Sequence, residues 1–527
     1  MTAPGTQISG GGGAGLRQLL AGIVAAPQDI AVSDITLDSR EVRPGALFLA
    51  CRGHDAGGAA GARHGVEFAD QASERGARAV LYEPPLPEEP RALAAAARLQ
   101  QRGGPAAQLF VVAVPDLRSH LGMIADRFFE APSQAVHVVG ITGTNGKTTC
   151  AWLIAQALSL CGRPAAYIGT LGYGSPGSLH PLAHTTSDVV SVHRQLAALR
   201  AAGATAVAME VSSHALDQGR VDQVRFAQAA FTNLTQDHLD YHGTMERYGA
   251  AKARLFARPD LDVRVINVDD AFGRRLAAVP GAPGRLVVTS RAGNRTGDAT
   301  YLTATQVCPT GDGFELTLES SWGPARLQLP LIGEFNVDNA LTALAVLLAA
   351  QVPLPAAVAA LERCAPPPGR MQTVSAAAAA PHAAVIVDYA HTPDGLAKAL
   401  AAARAHCRGR LHVVFGCGGD RDPLKRPIMG AIAAAAADVV VVTDDNPRNE
   451  TPADIVRDIL GGITGGTDRV RVRHDRAQAI RETIEAAGPD DVVLIAGKGH
   501  EDYQIYGASR RAFSDAQVAR EVLEAMT

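Results

Sequence analysis

The 527-residue sequence predicts an α/β protein of three domains built on mostly parallel sheets. Three observations predict it. Short β-branched runs, such as "VVVV" at residues 439–442, alternate with alanine-rich stretches that suit helices, the pattern of strands covered on both faces. Polar, glycine-containing segments follow those runs, where ligands bind in open parallel sheets. The chain is also too long for one hydrophobic core.

Taken in order, residues 1–15, "MTAPGTQISGGGGAG", are expected to be a flexible tail; they have no basic and apolar regions of a signal peptide. Residues 16–134 form a first domain with strand candidates "GALFLA" and "ARAVLY", closed at "FFEAPSQ". Residues 135–365 form a central domain that opens with the strand "AVHVVGIT" and alternates strands with helices. The three prolines of "CAPPPGRMQ" cannot continue a helix and suit a linker. Residues 366–527 then carry four strand candidates, "AAVIVDYAH", "RLHVVFGCGG", "ADVVVVTDD" and "DVVLIAGKG", with "SAAAAAP" (375–381) as a hairpin tip or loop.

Bulk composition excludes several classes. Hydrophobic residues make up 47% and charged residues 19%, as in ordinary globular proteins. Lys plus Arg is 49 and Asp plus Glu is 53, a net charge of −4 that predicts no general affinity for nucleic acid or anionic membrane. Seven scattered cysteines with no C-x-x-C fit free thiols in a reducing cytoplasm. No apolar run reaches membrane-spanning length without glycine or charge.

"VVGITGTNGKTTC" stands between a strand and the helical stretch "AWLIAQALSL", the setting of a phosphate-binding loop. Gly143, Thr144, Asn145 and Gly146 would turn backbone N–H groups toward phosphates, and the helix amino terminus adds positive potential. Lys147 would reach the β- and γ-phosphates, with Thr148 on Mg²⁺ and Thr149 beside it. The match departs from G-x-x-x-x-G-K-[ST]: Ile141 stands where the first glycine belongs, and glycines fall at 140 and 143. A glycine-rich turn that binds nothing is the alternative.

Glu210 ends the strand "AVAME", where a carboxylate can hold a second side of Mg²⁺ or simply be solvated. His238 shares a short segment with Asp237 and Asp240, which favours metal over an ordinary surface histidine. Lys252 has Tyr248 and Phe256 at i−4 and i+4, and spacing alone fits a snorkelling lysine. "DDNPR" follows the valine strand and places Arg448, braced by Pro447, at a strand's carboxyl end.

The segments "GTNGKTT", "MEVSSHALDQGR", "DHLDYHGTMERYGAAKARLF", "GEFNVDNALTA", "PGRMQ", "VDYAHTPD", "GCGGDRD", "DDNPR" and "AGKGHEDYQ" together resemble the Mur ligases, in order, from about Leu37 to Gln504. The resemblance implies a UDP-binding domain, a central P-loop ATPase domain and a Rossmann-like domain for the incoming amino acid. It implies ATP-dependent amide synthesis through an acyl phosphate, joining meso-diaminopimelate to UDP-N-acetylmuramoyl-L-alanyl-D-glutamate in cytoplasmic peptidoglycan precursor synthesis. A monomer is the expectation. By matching position, Lys147 neutralises the transferring phosphoryl group, Thr148 and Glu210 resemble ligands of a first Mg²⁺, and His238 and Lys252 match a second magnesium site, with Lys252 carbamylated to N6-carboxylysine. Asn336, Asn339, Arg370 and Asp388 fall around ATP. Leu37, Ser39, His54, Asp55, Ala56, Thr185, Thr186, Ser212, Gln218 and Arg220 fall on the UDP-muramyl dipeptide side. Arg421, Asp445, Asn446, Pro447, Arg448, Gly497 and Glu501 fall around diaminopimelate. Two departures, His184 before the threonine pair and Asp55 in place of a neutral residue, bear on the UDP side.

Rival readings are a lysine-adding Mur ligase, a folylpolyglutamate synthase and, outside the ligases, a P-loop switch driven by nucleotide state. The "DSR…ALF" pattern near the amino terminus argues against the folate reading. "GCGGDRD" lacks the G-x-G-x-x-G opening of a dinucleotide-binding oxidoreductase.

Overall fold

The computed structural model describes residues 13–526 apart from 27, 54–62, 87, 89, 103–108, 183, 312, 376–381 and 466. The chain forms two compact units, Met1–Lys147 with Leu158–Val288 and Thr296–Ala299, and Thr148–Ala157 with Thr289–Arg295 and Thr300–Thr527.

The first unit holds two main sheets. The smaller is parallel, in the order Ile35–Thr36, Leu47–Ala50, Ala79–Tyr82 and Phe110–Ala113. Side chains alternate across it, as a strand's period of two dictates. Leu47, Leu49 and Leu81 pack in one core with Leu117 and Leu121, while Phe48 and Val80 pack in the other with Ala69 and Leu99. Ala14–Gly15 pair antiparallel with Ala31–Val32, so the expected tail ends in a short strand. Arg194 ties this sheet to the helix Val189–Ala201 through a 2.7 Å bond to Asp34 Oδ1.

The larger sheet is parallel through Ala165–Gly169, Ala206–Glu210, His137–Thr142, Gln228–Phe231 and Val263–Asn267, in that order. These strands are almost wholly buried. An antiparallel hairpin, Gly172–Ser175 with Ser178–His180, closes one edge. Register places Glu210 opposite Ile141 and Phe231 opposite Thr142. Three strand ends therefore meet where the glycine-rich loop begins.

In the second unit, Thr300–Pro309, Phe314–Ser320 and Ala325–Leu329 form an antiparallel meander with a bulge between Ala304 and Gln306. The unit's main sheet runs Gln372–Val374, Ala384–Asp388, Val492–Ala496, Leu411–Phe415, Val439–Val442 and Val470–Val472. All its neighbours are parallel except the first pair. Val440 and Val442 enter one core and Val441 the other. All four predicted strands of this region are present, and their polar sequels line one sheet edge. The hairpin Tyr503–Tyr506 with Ser509–Ala512 follows. Most of "SAAAAAP" lies outside the described residues.

Candidate active site

The glycine-rich loop can be built only with glycine at its first turn. Gly143 has φ 154°, and a Cβ there would run into Thr232 Oγ1. Gly146 has φ 85° just before the helix Lys147–Leu160 begins. The next strand's end holds the loop: Asn233 O accepts from Thr144 N at 2.8 Å, and Asn233 Oδ1 from Asn145 N at 2.9 Å. Thr232 Oγ1 donates to Asn145 O at 2.6 Å. Lys147 Nζ donates to Gly143 O at 2.9 Å and Thr144 O at 2.8 Å. Thr148 and Thr149 are buried.

Lys252 Nζ reaches the same carbonyl, Gly143 O, at 2.8 Å, and lies 4.4 Å from the centre of the Tyr248 ring. It is 1% exposed, so it does not snorkel. Burial, with the Lys147 ammonium adding to it, holds its pKa well below the ordinary lysine value. Tyr248 OH pairs with Thr144 Oγ1 at 3.2 Å, and burial pushes the phenol up to about 12. His238 has φ 52° and caps the helix Leu239–His242. Its ring stands 4.8 Å from that of His214, which burial and then His238 and His242 lower to about 4. Glu210 is not a solvated acid. It is buried and accepts from Tyr167 OH, from Thr170 N at 2.9 Å and from Thr170 Oγ1 at 3.3 Å. Among the described residues, no group of three or more His, Cys, Asp or Glu has metal-binding geometry.

The residues expected on the UDP side of this unit form one network joined to Glu210. Thr185 Oγ1 meets Thr170 Oγ1 at 3.1 Å, and Thr186 Oγ1 donates to Glu210 O at 3.0 Å. Ser212 N donates to Thr186 Oγ1 at 3.3 Å, and Arg220 Nη1 to Thr186 O at 3.0 Å. Gln218 accepts from Arg220 Nε at 2.8 Å and donates to Tyr241 OH at 3.1 Å. Ser39, on the smaller sheet's side, donates to Gln71 at 2.6 Å, and Leu37 packs against that core. His184 is exposed, and His54, Asp55 and Ala56 lie outside the described residues.

In the second unit, Asn336 and Asn339 are buried on the helix Phe335–Ala349 and linked at 2.8 Å. Cys150 Sγ donates to Asn339 Oδ1 at 3.5 Å. Asp388 ends its strand and accepts from Met371 N at 2.8 Å. Burial raises its carboxyl, against the pull of Arg370. The Arg370 guanidinium lies 4.8 Å from the Tyr389 ring centre. A Cβ on Gly369 would strike Gly499 and His500, so the "PGR" and "GKGH" loops touch directly.

The residues expected around diaminopimelate follow strands of the same sheet. Asp445 and Asn446 are buried beside Gly497, where a Cβ would stand 2.8 Å from Asp445 Oδ2. Asn446 Nδ2 donates to Glu501 Oε2 at 2.8 Å. Pro447 is buried, and Arg448, at φ 53°, is bonded into the hairpin: its N donates to Ile505 O at 3.0 Å and its O accepts from Gly507 N at 2.6 Å. Arg448 Nη1 donates to Gly419 O at 2.6 Å. Arg421 is exposed on the loop after Leu411–Phe415. Beneath this edge, Arg476 and Asp515 are fully buried and paired through Nε and Nη2 at 2.7 and 2.8 Å; Arg476 Nη2 also donates to Ala496 O at 2.9 Å.

Sequence reasoning missed Thr232, Asn233, Tyr167, Thr170 and Arg476. Polar residues just after a buried strand were the available signal for Thr232 and Asn233. Nothing in spacing pointed to the buried Arg476.

Three family models match the chain: Mur ligase family, catalytic domain, over residues 31–129; Mur ligase middle domain over 141–347; and Mur ligase, glutamate ligase domain over 369–499. The UDP-N-acetylmuramoyl-L-alanyl-D-glutamate–2,6-diaminopimelate ligase of Xanthomonas campestris pv. campestris is 50% identical over 96% of this chain and 97% of that protein. The chain belongs to the Mur ligase family. A Xylella fastidiosa relative with the same activity name is 47% identical over 97% of the chain and 98% of that protein. A solved structure of a 2,6-diaminopimelate ligase of this kind superposes with TM-score 0.67 at 34% identity, covering 98% of this chain and 99% of that one. The Mur ligase middle domain takes in the glycine-rich loop, Glu210, His238 and Lys252, and the third Mur ligase match takes in Arg421 to Arg448.

Proposed function

We propose that this Mur ligase joins meso-diaminopimelate to UDP-N-acetylmuramoyl-L-alanyl-D-glutamate at the expense of ATP, as a monomeric cytoplasmic enzyme of peptidoglycan precursor synthesis. One observation carries the amino-acid part. Arg448 stands at a parallel sheet's carboxyl edge with its guanidinium on Gly419 O, and the same edge carries the buried Asp445 and the Asn446–Glu501 pair, a cation and acids together. Such a pocket suits a side chain that ends in both a carboxylate and an ammonium. Arg448 would grip the carboxylate. Lysine would leave that guanidinium without a carboxylate, and a site built for a charged partner rejects the analogue that lacks it.

The carboxylate of the dipeptide attacks the γ-phosphorus of ATP, releasing ADP and forming an acyl phosphate. The amine of diaminopimelate then attacks the acyl carbon, phosphate leaves with the C–O bonding pair, and the nitrogen loses a proton. Little covalent work falls to the protein, so positioning and charge dominate. Lys147 already points at the loop's carbonyls and would turn to the phosphates. The Thr185–Arg220 network would hold the UDP-muramyl dipeptide.

Mg²⁺ fits the residues on chemical grounds. Glu210 is a buried, hard oxygen donor fixed by Tyr167 and Thr170. An ammonium at Lys252 is no ligand. Its buried position favours the neutral amine, whose nitrogen can add to CO₂ and lose a proton to give a carbamate. Glu210 would help hold a first Mg²⁺, and His238 with carbamylated Lys252 a second; when bound, the ions neutralise phosphate charge.

The test is phosphate release with the UDP-muramyl dipeptide and a panel of amino acids. Release should require both the dipeptide and diaminopimelate. Steady release without an amine would favour a switch, and equal use of L-lysine would favour a lysine-adding ligase.

A further inference from the structure

The loop that carries Gly497 and Glu501 contains a lysine with no role so far. Lys498 is fully buried, although lysine usually keeps its ammonium in water. Nζ donates to Asn446 Oδ1 at 3.2 Å and to Glu501 Oε2 at 3.0 Å. It also lies 5.4 Å from the centre of the Tyr503 ring. Asn446 closes the triangle: Nδ2 donates to the same Glu501 oxygen at 2.8 Å, and Oδ1 also accepts from Ile505 N at 3.0 Å. Both donors of the triangle engage Oε2. An apolar side chain of similar length would have avoided burying the charge.

The charge itself matters to the proposed substrate. The far end of diaminopimelate is a zwitterion, whereas that of lysine is a lone ammonium. Of the residues expected around diaminopimelate, Asp445 and Glu501 are acidic and Arg421 and Arg448 basic, and Lys498 adds a further positive charge beside Glu501, which favours the second carboxylate. Without Lys498 the pocket is more negative, which favours a lone ammonium and disfavours the second carboxylate.

We infer that Lys498 is a positioning and specificity-determining residue: it locks Asn446 and Glu501 so that the Glu501 carboxylate meets the far-end ammonium, and its charge admits the neighbouring carboxylate. The inference rests on the amino-acid pocket proposed above.

The experiment varies each substrate separately in the phosphate-release assay with the full chain. Lys498→Met should raise KM for diaminopimelate at least tenfold. It should leave kcat, and KM for ATP and the UDP-muramyl dipeptide, within threefold. The ratio of kcat/KM for diaminopimelate to that for L-lysine should fall. In a Glu501→Gln background the same substitution should raise KM for diaminopimelate by a clearly smaller factor, because one of the groups it orients is already altered and only its charge remains to be lost. A merely structural lysine would lower the thermal midpoint and raise all three KM values, or lose the same factor in both backgrounds. Either result overturns the inference. Should Lys498→Met fail to fold, Lys498→Gln, which keeps donors but no charge, is judged by the same ratio. Wild-type release that ignores diaminopimelate would overturn the pocket reading and Lys498's role with it, and that outcome is visible before any variant is made.

Discussion

At Lys252, burial lowers the pKa and thereby supplies the neutral amine that a carbamate requires. Lys252→Ala should lose at least a hundredfold in kcat, with partial recovery in acetate, whose oxygens can occupy the vacated position. Lost stability with no recovery would instead mark a structural lysine. Lys147→Ala should abolish turnover while leaving the circular-dichroism spectrum unchanged, since its bonds are to its own loop; wild-type phosphate release from it would remove the phosphate role. Arg448→Ala should cut the preference for diaminopimelate over L-lysine, chiefly through poorer use of diaminopimelate; an unchanged preference would remove Arg448 as selector. Lys147 and Arg448 were legible because each sits in a recognisable motif just past a strand. The burial of Lys252 and Glu210 was not, because it depends on groups distant in sequence, such as Gly143 O against Lys252 and Tyr167 against Glu210.

The elements repeat that division. Runs such as "VVVV" announced parallel strands because both faces are buried and no polar residue interrupts them. The meander over residues 300–329 did not stand out. Its strands are half-exposed, and the bulge at Ala304–Gln306 shifts the alternation that would have revealed it. The Arg476–Asp515 pair was equally hidden, since it joins the starts of two helices 39 residues apart. Breaking it leaves a buried carboxylate uncompensated. Arg476→Met should therefore cost roughly 3–5 kcal/mol in the unfolding of its unit, and the double variant Arg476→Met/Asp515→Leu should recover most of that. Urea denaturation measures both; a double variant no better than the single one would contradict the account.

Across the whole molecule, the order of motifs identified the family, while the packing that sets protonation had to be seen. His193, His214 and His500 are each pushed to about 4, chiefly by burial. They stay neutral in the folded chain where unfolded histidines protonate below about pH 6.5. The unfolded state then binds more protons, so their contribution is full above about pH 6.5 and is lost as pH falls toward 4. The urea midpoint should drop between pH 7 and 5.5, and a constant midpoint would count against these buried neutral rings. Backbone strain is distributed just as unevenly. Among the described residues nine non-glycines have left-handed backbone, and His238, Met371, Asp420 and Arg448 are in or beside the candidate site. At such positions an L side chain costs about 1–2 kcal/mol that glycine would not. Arg448→Gly should thus be more stable than Arg448→Ala by about that amount while being no better an enzyme. A laboratory lineage selected only for heat resistance would drift toward glycine at these positions and shed its choice of amino acid on the way.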